Sequence, residues 1–369
     1  MERFDVVVVG AGAAGSAAAR SLADAGRHTL VLERFELGHA EGSSHGGARI
    51  FRLAYHHPDY VRLALLAREA WQELESRAGV TLLTRTGGID IGSRAREAKA
   101  ALDAAGVDAA WLSQAEVQER WPGIRPPEEP VLFQPDAGVC AADLALQAIA
   151  RLARAAGAEM RERTPATAIA PAADGVEVRT DAGAIRASVA IVAAGGWAGP
   201  LLATTGIELP LTVTLEQVLH RRRATAAPMP SVIEWTSPAR YAVADPHRGT
   251  LKLGEHHAMR VVAADDRRHD VDPGSIERVR AWASERFGDV EGAGGETETC
   301  LYTNTPDEDF VLDRIGPVVI SSACSGHGFK FTPLIGSILA ELATGAEPSV
   351  PLERFRARRF RDAIRTAAG

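Results

Sequence analysis

The sequence predicts an α/β fold in which a discontinuous, Rossmann-like nucleotide-binding domain carries an inserted, β-sheet-rich domain. The first observation is a near-continuous β-branched run at residues 5–9, which suits a parallel strand buried on both faces and leads into a glycine-rich turn. The second is that apolar runs of the same character recur at residues 189–194 and 318–321. The third is that alternating strands dominate residues 211–254, between those two runs. The nucleotide-binding domain therefore draws on the beginning, the middle and the end of the sequence.

The length of the chain also favours two domains, because 369 residues are more than one hydrophobic core usually serves. We expect residues 1–85, 140–205 and 305–369 to form the nucleotide-binding domain. Residues 86–139 and 206–304 are expected to form the substrate domain.

Composition argues against several classes of function. A net charge of −7 gives a nucleic-acid partner little electrostatic support. No apolar run approaches the roughly 20 residues that a membrane span requires. A strand that begins at residue 5 leaves no room for a signal peptide, and the last residues carry no peroxisomal address. Three cysteines make a poor disulfide framework, so we expect a cytoplasmic protein.

The predicted elements follow in order from the glycine-rich turn. An Ala-rich helix runs to about residue 25, where Gly26 is placed as a C-terminal cap, and a second strand covers residues 29–32. Residues 41–47 form a loop rich in Gly and Ser. Further helices are expected at residues 61–78, 95–105, 143–156, 275–287 and 334–344, and further strands at residues 81–83, 88–91, 175–180 and 184–188, the last two as a hairpin.

The glycine-rich turn matches the dinucleotide pattern G-x-G-x-x-G at Gly10, Gly12 and Gly15. The first glycine allows a tight turn, the second lets the backbone approach a pyrophosphate, and the third permits close helix–strand packing. The helix N-terminus offers N–H groups and a positive dipole end to phosphate. Glu33, at the end of the second strand, is placed to accept hydrogen bonds from ribose hydroxyls. By itself this pattern does not separate NAD from FAD.

A second glycine pair favours a flavin. The apolar run at residues 189–194 ends in Gly195-Gly196-Trp197. Flavoproteins with discontinuous nucleotide-binding domains commonly bring such a strand beside the dinucleotide. We therefore expect Gly195 and Trp197 to contact the cofactor.

Lysine is rare in this chain: of 41 basic residues, only Lys99, Lys252 and Lys330 are lysines. Lys99 lies in a polar, Ala-rich stretch and is expected on a solvated helix face. Lys252 and Lys330 lie in apolar, Gly-flanked segments, where a charge is costly without a function. Lysine differs from arginine in being compact and able to shift its pKa when buried, so these two are candidate functional residues.

With these motifs in place, the sequence resembles the monomeric sarcosine oxidase and N-methyltryptophan oxidase family of the D-amino-acid-oxidase-like flavoproteins. The likeness spans nearly the whole chain. Its main pieces are Gly10–Gly15 with Glu33, the loop and strand from Gly42 to Arg52, Leu251-Lys252-Leu253-Gly254-Glu255-His256, Cys300-Leu301-Tyr302-Thr303-Asn304-Thr305, and Ser325-Gly326-His327-Gly328-Phe329-Lys330-Phe331.

The resemblance implies FAD as cofactor, bonded covalently through Cys300. A thiolate is the nucleophile that such a bond needs, and nearby cations would lower its pKa. Cys140 and Cys324 are expected to be buried structural cysteines. The resemblance further assigns Arg34, Ser43, Gly326, Gly328 and Lys330 to the cofactor.

The substrate-side assignments come from the same resemblance. Arg52 and Lys330 are the pair expected to hold the substrate carboxylate, and Lys252 the lysine expected to promote reaction with oxygen. The remaining catalytic candidates are His45 and Arg49 beside the same flavin edge and Tyr241, His256 and Tyr302 in the substrate cavity. For His256 the alternative of an ordinary core histidine stays open.

Two departures from the family leave the substrate open. Where the small-substrate members have His-His-Gly-Asp-Thr-Arg, this chain has Ser44-His45-Gly46-Gly47-Ala48-Arg49, and residues 233–241 match the sarcosine-specific pattern poorly. We predict a monomeric oxidase of secondary amino acids, such as N-methyl amino acids, that uses O2 and produces hydrogen peroxide. The alternatives are an oxidase of a cyclic imino acid or natural-product intermediate, a flavin dehydrogenase with another acceptor, and a non-catalytic flavin-binding protein.

Overall fold

A computed structural model describes residues 2–257, 260–266, 270–292 and 294–360 of the chain. In chain order, the strands of the described residues are β1 (Arg3–Val9), β2 (Thr29–Leu32), β3 (Ala48–Phe51), β4 (Leu83–Arg85), β5 (Gly88–Ile91), β6 (Ala110–Leu112), β7 (Val131–Gln134), β8 (Gly138–Ala141), β9 (Glu159–Arg161), β10 (Ala166–Ala172), β11 (Gly175–Thr180), β12 (Gly183–Val192), β13 (Thr212–Arg222), β14 (Ser231–Glu234), β15 (Ala239–Asp245), β16 (Thr250–His256), β17 (Glu296–Asn304), β18 (Val311–Ile315) and β19 (Val318–Ser322). The α-helices are α1 (Ala13–Asp24), α2 (Pro58–Ala78), α3 (Ser93–Ala104), α4 (Gln114–Arg120), α5 (Ala142–Ala155), α6 (Ala198–Ala203), α7 (Pro273–Arg286) and α8 (Thr332–Thr344).

The first sheet contains the strands of dinucleotide character. Its order is β10-β11-β12-β1-β2-β9, with β19 on β12 and β18 on β19. The pairs β12–β1, β1–β2, β2–β9 and β12–β19 are parallel, so the carboxyl ends of these strands meet at one edge. The strands β1 and β2 are almost wholly buried, as their continuous β-branched runs require.

The second sheet is mostly antiparallel and has the order β17-β13-β16-β15-β14-β5-β7-β6. Only β14 and β5 pair in parallel among its described strands. Helix α7 packs on this sheet through the buried indole of Trp282. A small third sheet has the order β3-β8-β4. Its strand β3 comes directly after the loop that follows β2.

Helices cover the first sheet on one face. Helices α1, α2, α5 and α8 form the largest core there, around Trp71, Phe331 and small residues such as Ala17. The opposite face packs against α6, with Leu202 at its centre. These layers confirm the predicted α/β class, with parallel and antiparallel pairing in the same sheets.

Most predicted elements exist with shifted ends. The predicted strands at residues 184–188 and 189–194 are one continuous strand, β12, which pairs with β11 at its start and with β1 and β19 at its end. The strand β17, which carries Cys300, was not predicted. The proposed domain boundaries stay a prediction, and residues 361–369 lie outside the described part of the chain. Among the described residues, no helix is long and apolar enough to span a membrane.

Candidate active site

A long cleft begins at the carboxyl ends of the parallel strands of the first sheet and extends to β15, β16 and β17 of the second. In open α/β sheets, ligands bind at this edge. The predicted site residues that line this cleft are Gly10, Gly12, Glu33, Arg34, Ser43, His45, Arg49, Arg52, Gly195, Trp197, Tyr241, Lys252, His256, Cys300, Tyr302, Gly326, Gly328 and Lys330. Gly15 lies behind the lining, in helix α1.

The glycine-rich turn leaves no room for side chains. Gly10 has φ +101°, and a Cβ there would lie 2.5 Å from the carbonyl oxygen of Ala193. A Cβ on Gly15 would lie 1.9 Å from the carbonyl oxygen of Gly10, so this glycine lets α1 pack against the turn. Gly12 caps α1 without a side-chain hydrogen bond, and the neighbouring Ser44 Oγ accepts from Ala13 N at 3.0 Å. Gly10 and Gly12 line the cleft without side chains, so a ligand can approach their backbone.

Glu33 is held as a carboxylate beside the turn. Its Oε2 accepts from Ala11 N at 2.7 Å and its Oε1 from Phe35 N at 2.9 Å, with His39 Nε2 at 3.4 Å. Burial disfavours the charge of Glu33, yet the hydrogen bonds from His39 and these two backbone groups outweigh it and lower its pKa. An ionised acceptor therefore faces this end of the cleft.

At the same end of the cleft, Asp265 contacts both Arg34 and Trp197, and it was not predicted as a site residue. Asp265 Oδ1 lies 2.8 Å from Arg34 Nη2 and accepts from Trp197 Nε1 at 2.7 Å. The Arg34 guanidinium also lies 5.5 Å from the centroids of the Trp197 and Phe35 rings. Asp265 thus holds together two residues that line the cleft. Gly195 has φ +52° and open space where a Cβ would be.

The loop before β3 is fixed by Arg49. Its Nη2 donates to the carbonyls of His45, at 2.5 Å, and Ser43, at 3.1 Å, and its Nη1 donates to Ala48 O at 3.0 Å. Ser43 Oγ donates in turn to Leu301 O at 2.5 Å. These bonds place the loop against β17.

Lys252 and Cys300 line the cleft near this loop, and each acts on the charge of the other. Lys252 Nζ lies 3.4 Å from Ala48 O, and a Cβ on Gly46 would lie 3.6 Å from Nζ and 3.1 Å from Arg49 Nη1. Burial, with the charge of Arg49, lowers the pKa of Lys252 to about 7. Burial also raises the pKa of Cys300, and the charges of Arg49 and Lys252 offset only part of that rise. The expected cations are present, but they do not lower the pKa of the thiol below its ordinary value.

The two other cysteines differ in their surroundings. Cys140 on β8 is fully buried, and burial raises its pKa to about 12, as a structural cysteine requires. Cys324 is half-buried, lines the cleft and accepts from Thr303 N at 3.5 Å. The prediction that Cys324 is a buried structural cysteine is therefore wrong in its placement.

The departure at Gly47 has a structural counterpart on β15. A Cβ on Gly47 would lie 2.2 Å from Oδ2 of the buried Asp245, whose Oδ1 accepts from the backbone N–H groups of His247 and Arg248. The carboxylate of Asp245 thus occupies the space that a side chain at position 47 would need.

Arg52 and Lys330 come together around Tyr55. The Arg52 guanidinium lies 3.9 Å from the Tyr55 ring centroid and donates to Ala54 O, and Lys330 Nζ lies 5.7 Å from the same centroid. Lys330 Nζ donates to His327 O at 2.6 Å. Burial, with the charge of Arg52, lowers the pKa of Lys330 well below its usual range. This part of the cleft therefore favours an anionic ligand.

Tyr241, His256 and Tyr302 form the facing wall. The Tyr302 ring lies 5.7 Å from that of His256, and burial raises the pKa of both tyrosines. Burial and nearby positive charges keep the pKa of His256 well below its usual range. Gly326, at φ +72°, is packed so closely that a Cβ would lie 2.3 Å from Tyr302 and 2.5 Å from His256. Gly328 is equally confined, since its Cβ would lie 1.7 Å from Ala323 O.

Besides Asp265, two buried acids next to the site also escaped the sequence-based prediction. Asp245 has no motif around it, and its neighbour in space, Gly47, is distant in sequence. Asp90 lies on β5 and is buried, with Trp235 Nε1 and Gln134 Nε2 donating to its carboxylate. The available signal was a single acidic residue inside the apolar run Gly88-Ile89-Asp90-Ile91.

The residues of the cleft fit a flavin dinucleotide. A glycine turn at a helix N-terminus and an ionised Glu33 suit a diphosphate and a ribose at one end. The other end holds the half-buried Arg49 and the buried Lys252 near Cys300, and these basic residues suit the ring of a cofactor that gains negative charge on reduction. An elongated cleft with these two ends defines a flavin-dependent oxidoreductase.

The chain belongs to the FAD dependent oxidoreductase (DAO) family, whose model matches residues 5–342. It is 32% identical to the peroxisomal sarcosine oxidase of Homo sapiens, with 97% of this chain and 96% of that protein covered. It is 30% identical to an N-methyl-L-tryptophan oxidase of Salmonella newport, with 97% and 99% covered. Among solved structures, the open form of NikD, an unusual amino acid oxidase essential for nikkomycin biosynthesis, is similar with a TM-score of 0.87 at 29% identity, covering 96% and 98%.

Proposed function

We propose that this protein oxidises secondary amino acids, such as N-methyl amino acids, to imines, with O2 as the electron acceptor and hydrogen peroxide as a product. Bound FAD supplies the chemistry, since its ring accepts a hydride equivalent from the substrate C–H bond and returns the electrons to oxygen. The imine then hydrolyses to an aldehyde and an amine. The observation that carries the proposal is that two buried basic residues, Arg52 and Lys330, line one cleft together with Lys252 and the glycine turn.

Arg52 and Lys330 bind the substrate carboxylate in this proposal. Arg52 offers a planar fork, and Lys330 adds a point charge. Burial lowers the pKa of Lys330, and a carboxylate bound beside it would restore the ammonium form. A carboxylate therefore gains affinity here that a neutral group of the same size would not.

The same cations select the neutral form of the substrate amine. Arg49, Arg52, Lys252 and Lys330 together oppose an added ammonium. Burial and neighbouring charges keep the pKa of His256 low, so this histidine stays neutral and can accept a hydrogen bond from the amine. With the carboxylate fixed and the amine neutral, the substrate C–H bond is oriented and no strong general base is required.

Lys252 serves the oxygen half of the reaction. Its ammonium stabilises the negative charge that develops when oxygen is first reduced. It is buried beside Cys300 and Arg49, where water screens the charge little.

We propose further that Cys300 holds the flavin covalently. The thiol lies on β17 at the cationic end of the cleft, and Ser43 and Arg49 fix the loop that faces it. Arg49 and Lys252 act against the burial that raises the pKa of Cys300, and so support the thiolate.

A second candidate, the oxidation of a cyclic imino acid or natural-product intermediate, is supported by the likeness to NikD and by the departures in the loop and in residues 233–241. A dehydrogenase that uses another acceptor would have no need of Lys252. We also propose that the protein is a monomer in the cytoplasm.

One preparation tests both parts of the proposal. Purified protein is assayed for oxygen uptake and peroxide with sarcosine, N-methyl-L-tryptophan, L-proline and L-pipecolate. Wild-type and Cys300→Ala proteins are then precipitated with acid. We expect one peroxide per amine oxidised, and yellow colour that stays in the wild-type pellet and leaves with the supernatant of the variant.

Different results contradict different parts. Turnover of these amines with a dye but without peroxide would identify a dehydrogenase. Colour lost from both pellets would remove the covalent bond while leaving bound FAD in place.

A further inference from the structure

We propose that Asp90 is a positioning residue for the carboxylate site: through Trp235 and Gln134 it holds the guanidinium of Arg52 in place for substrate. The inference rests on the proposed function, in which Arg52 binds the substrate carboxylate. Asp90 lies on the second sheet, whereas Arg52 follows β3 of the third. The contact therefore aligns two parts of the chain on which the cleft depends.

The two carboxylate oxygens of Asp90 accept hydrogen bonds from two different side chains. Its Oδ1 accepts from Trp235 Nε1 at 2.9 Å, and its Oδ2 accepts from Gln134 Nε2 at 2.6 Å. Its exposure is only 2%. Both bonds are directional and shielded from water, so each fixes the side chain that donates it.

Both donors act on Arg52. Gln134 Oε1 accepts from Leu53 N at 2.9 Å and from Ala54 N at 2.7 Å, which fixes the backbone immediately after Arg52. Arg52 donates to the carbonyl of that same Ala54. Through Trp235, Asp90 also fixes an aromatic ring whose centroid lies 5.2 Å from the Arg52 guanidinium, which in turn lies 3.9 Å from the Tyr55 ring centroid.

The charge of Asp90 adds to this geometry. Burial raises the pKa of Asp90, and the charge of Arg52 with the two hydrogen bonds acts against that rise. The two carboxylate oxygens of Asp90 accept from Trp235 and Gln134, and Arg52 acts on the carboxylate through its charge. The carboxylate therefore stabilises the guanidinium through its charge and leaves the N–H groups that do not bind Ala54 available to the substrate.

A matched residue shows what a purely structural role would look like. Glu234, on the adjacent strand β14, accepts from Trp282 Nε1 at 2.5 Å and pairs with Arg286 at 2.9 Å. Like Asp90, it is a buried acid of the second sheet that accepts from an indole, but its partners Trp282 and Arg286 do not line the cleft, whereas Trp235 and Arg52 do. Loss of its charge should affect stability alone.

The test compares Asp90→Asn with Glu234→Gln in the flavin-loaded enzyme. Asparagine keeps the shape of Asp90 but places an N–H donor against that of Gln134 or Trp235. We expect Asp90→Asn to raise KM for the amino acid by about tenfold, the effect of losing a coupled network contact, with kcat changed by less than about threefold. Binding of acetate, followed by the flavin absorbance, should weaken by a similar factor. Glu234→Gln should lower Tm and leave KM unchanged.

A double-mutant cycle with Arg52→Gln identifies the residue through which Asp90 acts. In the Arg52→Gln background, Asp90→Asn should change KM by less than about twofold. The full tenfold effect in that background, or an unchanged KM in folded Asp90→Asn, would overturn the inference alone. If Arg52→Gln itself left KM unchanged, the carboxylate site of the proposed function would fail together with the inference.

Should Asp90→Asn fail to fold, Trp235→Phe provides the same test. Phenylalanine keeps an aromatic face toward Arg52 but lacks the indole N–H that Asp90 holds. We expect KM to rise in the wild-type background and not in Arg52→Gln, and a rise of equal size in both would contradict the proposal.

Discussion

At the scale of the residue, the three lysines separate by environment. Lys99 lies on α3 and pairs with Asp103 at 2.6 Å, on the solvated face that its sequence predicts. Lys252 and Lys330 are 6% and 5% exposed, and burial lowers the pKa of both. Most basic residues of this chain are arginines, which stay charged in any surroundings. The two buried lysines differ because burial can shift their pKa and so change their charge.

The pKa of Lys252 predicts a pH dependence for the oxygen half-reaction. The ammonium form dominates below a pKa of about 7 and is lost above it, so a cation-assisted reaction should slow as pH rises. Negative charge on the reduced cofactor moves the midpoint upward. Stopped-flow reoxidation of pre-reduced enzyme isolates this step from amine binding. We expect Lys252→Met to be slower by about 10²-fold and independent of pH in this range. Equal pH dependence in wild type and variant would exclude Lys252 as the titrating group.

Site residues could be predicted from the sequence where they belong to a glycine-rich motif. Gly10 and Gly326 are confined by close contacts that only glycine permits, and such positions stand out in a sequence. Asp245 and Asp90 act through space on residues far away in the chain, Gly47 and Arg52. No spacing rule relates such pairs, so their roles become visible only when the second sheet is folded against the loop before β3.

At the scale of the element, the buried parallel strands were predicted well, because continuous β-branched runs have few other uses in an α/β protein. The strand β17 was missed, since it begins with exposed, polar residues that include Glu296, with Glu298 close behind. A hairpin strand at residues 184–188 and a buried strand at residues 189–194 were predicted separately. In the structure they form one strand, β12, which changes pairing partners along its length. Pairing of this kind is set by neighbours rather than by local pattern.

The crossing of α1 and α8 sets the position of the glycine turn and gives a prediction for these helices. A Cβ on Gly336 of α8 would lie 2.5 Å from the Ala17 carbonyl carbon and 2.6 Å from its Cβ. Gly336→Ala should therefore force the helices apart and lower stability by about 1–3 kcal/mol. Because α1 carries the phosphate-binding turn, we expect FAD occupancy to fall as well. Thermal unfolding and the ratio of flavin to protein absorbance measure the two effects.

Gly199→Ala is the matched control for that substitution. Gly199 lies in helix α6, and a Cβ there would meet nothing within 4 Å. Both variants gain the same helix propensity, so Gly199→Ala should be more stable than wild type by up to about 1 kcal/mol. If Gly336→Ala behaved in the same way as Gly199→Ala, the close crossing would have no energetic importance.

At the scale of the whole molecule, the cleft depends on all three sheets. Gly10 follows β1 of the first sheet, Arg49 lies on β3 of the third, and Lys252 and Cys300 lie on β16 and β17 of the second. A ligand that spans the cleft is in contact with every sheet. Binding should therefore couple their unfolding, since a ligand that binds only the folded state stabilises whatever it contacts.

This coupling is measured by calorimetry on Cys300→Ala protein from which flavin has been removed. FAD should raise the stability of a single transition by about 2.7 kcal/mol at a hundredfold excess over its Kd. ADP, which reaches only the end formed by Gly10 and Glu33, should produce a smaller shift. If two unfolding transitions were seen and only one of them shifted with FAD, the second sheet would fold independently of cofactor binding. One responsive transition would mean that the cofactor itself joins the phosphate-binding turn to the cationic end, so that a substitution at either end weakens the whole molecule.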